Sequence, residues 1–354
     1  MGDGGLEVLL QPLNSAMPAS KGPKQHKRTR RAISPDYNPK LSQKGRPLPV
    51  QTWYDLRAGI VRNRTSNWTG TNQSYGPSPP SHFRYTRPML LCPVRHCHLP
   101  LAREERRLIC PRGHAFDVAR SGYINLLQPQ ERRSKHPGDT PAALQARRKL
   151  HDQGATAPLL HAIAELLTPS PGDIVLDAGC GEGFYLGTLA HQTGFTAHGI
   201  DISVPAIDAA ARRYPECEWI VANADRFVPY ADRSFSTVMS ITARMNASEF
   251  RRVLRDDGRL LVALSAPDDL IELRGAGRDR VARTVETFAP HFTLVDRRRV
   301  TTTADLDAAL VHDVLLLIYR PMRSSPAEAM RVTFSLDLLL FRPLTAAPTP
   351  TGAG

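Results

Sequence analysis

The stretch "VLDAGCGEGF", residues 175–184, decides the fold. An apolar run ends in an acid, Asp177, and glycines follow at 179, 181 and 183 before the chain turns helical. A buried strand that ends this way lets its backbone approach a ligand closely. The helix that starts behind the loop offers free N–H donors. Alone the pattern is ambiguous, because dinucleotide-binding enzymes share it.

The neighbouring stretches narrow it. "TAHGIDIS" (196–203) reads as the next buried strand and closes on Asp201, an acid that can accept both hydroxyls of a ribose. "EWIVANAD" (218–225) reads as the strand after that, and Asn223, Ala224 and Asp225 then stand where an adenine ring would be held. "FSTVMSI" and "GRLLVALSA" continue the series, with helical stretches between the strands. That alternation implies βαβ units and a parallel sheet. Towards the end, "FTLVDRRRV" and "MRVTFSLDLLLF" read as two further strands around the helix "ADLDAALVHDVLLLIY". The expected fold is α/β, with a Rossmann-like, mostly parallel, seven-stranded sheet.

About sixty residues upstream lies a different signature, "CPVRHCHLPLAREERRLICPRGH" (92–114). It holds three of the chain's five cysteines and ends in a histidine. The spacing C-x4-C-x12-C-x3-H, through Cys92, Cys97, Cys110 and His114, suits a tetrahedral zinc site. Four protein ligands leave no open position, so the site reads as structural. The first pair is wider than the usual C-x2-C, and His96 and His98 flank Cys97 as alternative ligands. Cys180 and Cys217 read as small packed residues.

The bulk properties set limits. The 354 residues allow two domains, and the apolar share of 41% supports a core. No stretch approaches a membrane span, and the N-terminus lacks the basic start and apolar run of a secretory signal. The N-x-S/T triplets at Asn63, Asn67 and Asn72 are then chance matches. Clustered cysteines fit metal binding in a reducing cytoplasm. The net charge is +12, but residues 1–88 carry 14 Lys+Arg against 4 Asp+Glu, so most of the basic excess lies in that tail. The segment is expected to be disordered, either an RNA-binding arm or a mis-assigned start with Met89 as the true first residue. The expected organisation is this basic extension (1–88), a zinc module (89–127), a basic linker and helix (128–156), a catalytic domain (157–344) and a disordered tail (345–354). Asp139 or Thr140 is expected to cap the linker helix, with Pro141 in its first turn.

Residues 173–266 resemble a class I S-adenosylmethionine-dependent methyltransferase. The text joining the two signatures is more specific: "FDVARSGYINLLQPQERRSKHPGDTPAALQARRKLHDQG" resembles the RlmA-type 23S rRNA guanine-N1 methyltransferases, a family that includes the tylosin and mycinamicin resistance enzymes. The resemblance covers nearly all of residues 89–344. It implies a zinc domain that helps hold an RNA stem-loop, methyl transfer from S-adenosylmethionine to N1 of a guanine in a 23S rRNA hairpin, and macrolide resistance as a phenotype. A homodimer is an arrangement seen among relatives. The cofactor-binding candidates are Thr156, Asp177, Gly179, Gly181, Glu182, Gly183, Asp201, Asn223 and Ala224.

The chemistry agrees without the name. No "NPPY"-like motif for exocyclic amines follows the fourth strand, where "SITAR" (240–244) stands, and no cysteine is there to attack a pyrimidine. A ring nitrogen is the easier target. Its proton must leave as the methyl moves, with help from a carboxylate or a backbone carbonyl near the cofactor, and Asp225 and Glu182 are the candidate carboxylates. No catalytic residue is assigned. Arg103, Arg106, Arg107, Arg112, Arg132, Arg133 and Lys135 are candidate phosphate contacts. Phe116 and Tyr123 read either as base-stacking groups or as core.

The chain departs from the family pattern at three places. Thr156 stands where relatives carry a pocket tyrosine. Thr242-Ala243-Arg244 replaces an aromatic followed by Ala-Pro. Asp268-Asp269-Leu270 replaces "RHL" after Pro267. A small-molecule methyltransferase and an rRNA-binding paralogue without turnover therefore stand beside the rRNA enzyme as readings.

Overall fold

The computed structural model describes residues 87–131, 140–318 and 328–344. The basic extension up to residue 86, Arg132, Arg133, Lys135, Asp139 and the tail from 345 lie outside the described residues.

The chain first forms four short strands: β1 (Ala102–Glu104), β2 (Arg107–Ile109), β3 (Ala115–Asp117) and β4 (Ile124–Asn125). The first three make a small antiparallel sheet. Seven strands follow: β5 (Ile174–Ala178), β6 (Thr196–Asp201), β7 (Glu218–Val221), β8 (Phe235–Ile241), β9 (Leu254–Ser265), β10 (Phe292–Leu306) and β11 (Met330–Pro343). Interleaved are helices α1 (Pro141–Asp152), α2 (Ala157–Leu167), α3 (Phe184–Thr193), α4 (Val204–Arg213), α5 (Ala247–Val253), α6 (Ile271–Arg274), α7 (Val281–Phe288) and α8 (Ala308–Leu316).

Among the described residues the large sheet has the order β10-β11-β9-β8-β5-β6-β7-β4. Only β11 runs against its neighbours, pairing antiparallel with both β9 and β10. The seven expected strands are all present. The eighth, β4, comes from the segment read as the zinc module and pairs parallel with β7, Ile124 beside Ile220 and Asn125 beside Val221.

Each element follows from its residues. All five residues of β5 are buried, as a central strand covered on both faces requires. By contrast β10 alternates exposed and half-buried positions, the pattern of an edge strand with one wet face. Thr140, Ser203, Asn246 and Asp307 cap α1, α4, α5 and α8 by accepting from the N–H three residues on. Pro141 and Pro205 fit the first turns, where no N–H is needed.

Two cores cover the two faces of the sheet. Leu160, Ile163, Leu186, Leu189 and Ile207 from α2, α3 and α4 fill one. Phe250, Phe288, Tyr230, Phe235 and Phe341 fill the other. From β5 the chain proceeds to β6 and β7 on one side, then returns to β8 and β9 on the other. The crevice above the carboxyl ends of β5 and β8 is where such a sheet takes its ligand.

Candidate metal centre and cofactor site

In the amino-terminal knuckle, one donor atom from each of Cys92, Cys97, Cys110 and His114 lies within 4.8 Å of all the others. Cys97 Sγ is 3.8 Å from Cys110 Sγ, and His114 Nδ1 is 3.4 Å from Cys92 Sγ and 3.3 Å from Cys110 Sγ. A tetrahedron with zinc–sulfur arms of about 2.3 Å has edges of about 3.8 Å, so the donor set fits zinc in spacing as well as in type. Burial first, and then the neighbouring thiols, push Cys92 up to about 12, a crowding that a bound cation would relieve. The wide first pair closes because His96 takes a left-handed turn (φ 61°). Gly113 (φ 80°) does the same for the second pair. His98 is not among the four; its ring stacks on Phe227, centroids 4.2 Å apart.

That stack is one of several ties between the knuckle and the segment after β7. Arg226 donates to Pro93 O at 2.9 Å and pairs with Glu131 at 2.9 Å. Leu91 N donates to Pro229 O, and Ala231 N donates to Met89 O. The same segment begins with Asn223, whose carbonyl accepts from the N–H groups of Arg226 and Phe227. The knuckle is thus bonded to the turn that carries two of the cofactor candidates.

The cofactor candidates converge above β5, β6 and β7. Gly179 and Cys180 donate their N–H groups to Ile200 O, folding the loop over the end of β6. Asp201 accepts from Gly181 N at 2.9 Å and from Ser203 N at 2.8 Å, and its carbonyl accepts from Ala222 N. A carboxylate offers about four lone-pair sites, the acceptor chemistry that a diol needs. Asp177 is 2% exposed, and its Oδ1 has no hydrogen-bond partner. Burial, then the nearby Asp201 charge, push it up to about 8. A buried acceptor without a partner is costly unless a ligand supplies one. The glycines are required by space: a Cβ at Gly179 would stand 2.3 Å from Ala243 Cβ, and one at Gly183 would stand 2.3 Å from the Trp219 ring.

Thr156 and Glu182, two further candidates, both lie close to His151. Thr156 Oγ1 lies 2.7 Å from His151 Nδ1. His151 is buried, stacks on Phe184 at 4.0 Å, and is held down to about 3 by burial and then by Arg147 and Arg213. It is therefore neutral, and its 4.0 Å approach to Glu182 Oε1 is no ion pair. Glu182 is 4% exposed, and burial raises its pKa against the pull of Arg213, Arg148 and Arg147. Sequence reasoning missed His151. The signal was present, since Ala143, Leu144, Leu150 and His151 share the buried face of α1.

The three departures have different consequences. Tyr185, in the first turn of α3, lies beside Thr156, so a tyrosine stands next to the position where the family's ring is missing. Ala243 presses on the glycine loop, and Arg244 pairs with Asp225 at 3.5 Å, joining the loops after β8 and β7. Asp269 instead serves the sheet, accepting from Ser335 N at 3.0 Å and pairing with Arg274 at 2.7 Å. Phe116 packs into the core beside the cysteines, and Tyr123 packs beside α4 residues. Among the described residues no helix is long and apolar enough to cross a membrane.

Comparison with known proteins agrees with both halves. The family model described as RlmA, N-terminal, a zinc ribbon, matches residues 90–135. The model described as a methyltransferase domain matches residues 175–262. A 23S rRNA (guanine(748)-N(1))-methyltransferase of Streptomyces fradiae is 35% identical over 277 residues, covering 72% of this chain and 97% of the relative. A protein of Micromonospora griseorubida with a provisional name of the same kind is 33% identical, covering 73% of this chain and 98% of its own length. A third, from Bacillus subtilis and also provisionally named, is 36% identical over 195 residues, covering 52% of this chain and 67% of the relative.

Proposed function

The chain belongs to the 23S rRNA (guanine-N1)-methyltransferase family, and from that premise we propose that it methylates N1 of a guanine in a 23S rRNA hairpin. The observation that carries the proposal is the union of the two signatures. The zinc ribbon is continuous with the methyltransferase sheet through β4, so RNA held by the ribbon would be held at a fixed distance from the cofactor crevice.

In this reading Cys92, Cys97, Cys110 and His114 hold a structural zinc. Asp201 takes the ribose diol, Asn223 and Ala224 flank the adenine, and Gly179, Gly181 and Gly183 admit the methionine part. Asp177, Glu182 and Thr156 line the far end, where Asp177's unpartnered oxygen can accept from an ammonium group. S-adenosylmethionine, when bound, supplies an electrophilic methyl on a sulfonium. The protein's main contribution is alignment of the acceptor nitrogen with that methyl. Of the two carboxylates considered for the N1 proton, Asp225 is exposed beside Arg244, whereas Glu182 is buried behind His151. Asp225 is the better placed to meet a substrate arriving from solvent.

The test is transfer of labelled methyl groups to 23S rRNA from a host deleted for the gene. Reverse-transcriptase arrest at one guanine is expected, because N1 methylation blocks Watson–Crick pairing. Transfer only to metabolites would replace the proposal with a small-molecule enzyme. Macrolide resistance is checked by the sensitivity of the deletion host, and a homodimer by sedimentation.

A further inference from the structure

The segment "AFDVARSGYINLL" (115–127) has work beyond closing the zinc module. It folds as a two-stranded ribbon. Val118 bridges Ile124 antiparallel, Ala119 N donates to Tyr123 O at 2.8 Å, and Gly122 (φ 100°) turns the tip. Successive side chains of a ribbon point to opposite faces. The even positions, Phe116, Val118, Ile124 and Leu126, pack into the core. The odd positions, Ala115, Asp117, Ala119, Tyr123, Asn125 and Leu127, together with Phe116, line a cleft of about 320 Å³ whose back, Tyr123 and Leu127, packs on the core of the catalytic body. That is the lower end of the ~300–1,000 Å³ typical of ligand clefts.

We propose that this odd face is a slot for one unpaired base of the RNA substrate, a nucleotide other than the one methylated. The inference rests on the RNA reading above and adds the site that grips the RNA. Alanines at 115 and 119 leave room for a ring, half-buried Phe116 and Tyr123 offer aromatic surfaces to stack on, and buried Leu127 backs them. Asn125 Oδ1 accepts from Leu127 N at 3.2 Å, so its amide N–H₂ remains as a donor. Asp117, exposed on the opposite strand, is an acceptor only. One donor and one acceptor on facing strands match the edge of a base, which offers both. A phosphate does not fit, because Asp117 repels it; the exposed Arg120 at the ribbon tip is the group for the flanking backbone.

The position also fits. Asn125 lies beside Val221, and Val221 lies opposite Asp201. The slot is therefore two strand spacings, about 9–10 Å, from the acid assigned to the ribose. Ser121 Oγ donates to Asp208 on α4 at 2.6 Å and fixes the ribbon tip against the catalytic body. A loop nucleotide held here would register its neighbours over the crevice.

The test uses the full-length, zinc-loaded protein and a 23S rRNA domain transcript. Binding is read by filter retention across a salt series, beside methyl transfer and the Kd for S-adenosylhomocysteine. Tyr123→Leu, Asp117→Ala and Asn125→Ala are each expected to weaken RNA binding by roughly tenfold. The salt slope should stay unchanged, since no phosphate contact is lost. The Kd for S-adenosylhomocysteine should also stay unchanged. Asp117→Ala, at an exposed position, guards against misfolding as the cause. Wild-type affinity in all three variants would overturn the slot while leaving rRNA methylation intact. A parallel loss of S-adenosylhomocysteine binding would overturn it too, by placing the cleft in the cofactor site. RNA binding that falls in the variants of a protein transferring no methyl group would support the slot and reject the activity.

Discussion

The imidazole of His98 lies flat on the ring of Phe227, with centroids 4.2 Å apart and planes 7° from parallel. Arg252 covers the same phenyl ring at 5.0 Å. His98 belongs to the zinc knuckle and Phe227 to the turn that follows Asn223, so the stack joins the metal centre to the cofactor crevice.

Metal removal should therefore be felt at the cofactor. Without zinc nothing cross-links Cys92, Cys97, Cys110 and His114, and the ties from Pro93 and His98 to Arg226 and Phe227 loosen. Chelator-stripped protein is expected to bind S-adenosylhomocysteine about tenfold more weakly, measured by calorimetry, with recovery on adding zinc. Equal affinity with and without zinc would show the two sites to be independent.

Asp177 makes the stability of the ligand-free protein depend on pH. Burial and the nearby Asp201 charge raise its folded pKa to about 8, well above the ordinary carboxylate value of 3.8. Below 3.8 the carboxyl is protonated in both states, and its contribution is fully present. As pH rises from about 4 to 8 the unfolded chain ionises and the folded one does not, so stability is lost across that window. Asp177→Asn, which cannot ionise, should show a Tm advantage over wild type that grows from pH 4 to 8. A constant difference would mean that Asp177 is already ionised in the folded protein.

Gly183 combines a left-handed backbone (φ 76°) with the Trp219 ring 2.3 Å from any added Cβ. Gly183→Ala is expected to cost about 3 kcal/mol by denaturant titration, from strain and overpacking together. Gly194 has nearly the same φ (75°) but nothing within 4 Å. Gly194→Ala should cost only about 1 kcal/mol, the backbone part alone.

The bond between half-buried Thr156 and buried His151 is neutral. Thr156→Val keeps the shape and removes the hydroxyl, leaving His151 Nδ1 short of a partner. A loss of about 1–3 kcal/mol is expected in chemical unfolding, largely restored in Thr156→Ser. Unchanged stability in the valine variant would show that water or another group satisfies His151.

Much of this was legible in the sequence because it is local. A buried strand is a run such as "IVLDA", and a glycine loop is a spacing. A zinc site is four donors at short intervals, since a knuckle closes over a few residues. Residues 89–127 gave no warning of β4, because two residues of strand have no period and take their partner, β7, from nearly a hundred residues away. His151 falls at helical spacing with Ala143, Leu144 and Leu150, a signal that its own polarity masks.

By itself, the sequence determined the order of strands and helices, the ligand spacing and the family, all properties of neighbours along the chain. Only the tertiary structure decided which side chains of the 115–127 ribbon are core and which line an open cleft. It alone placed the zinc knuckle against the turn at Asn223, and left buried Asp177 with an oxygen unpartnered. Those outcomes depend on burial and on contacts between distant segments, and free energy at such contacts is set by what surrounds a residue, not by what precedes it.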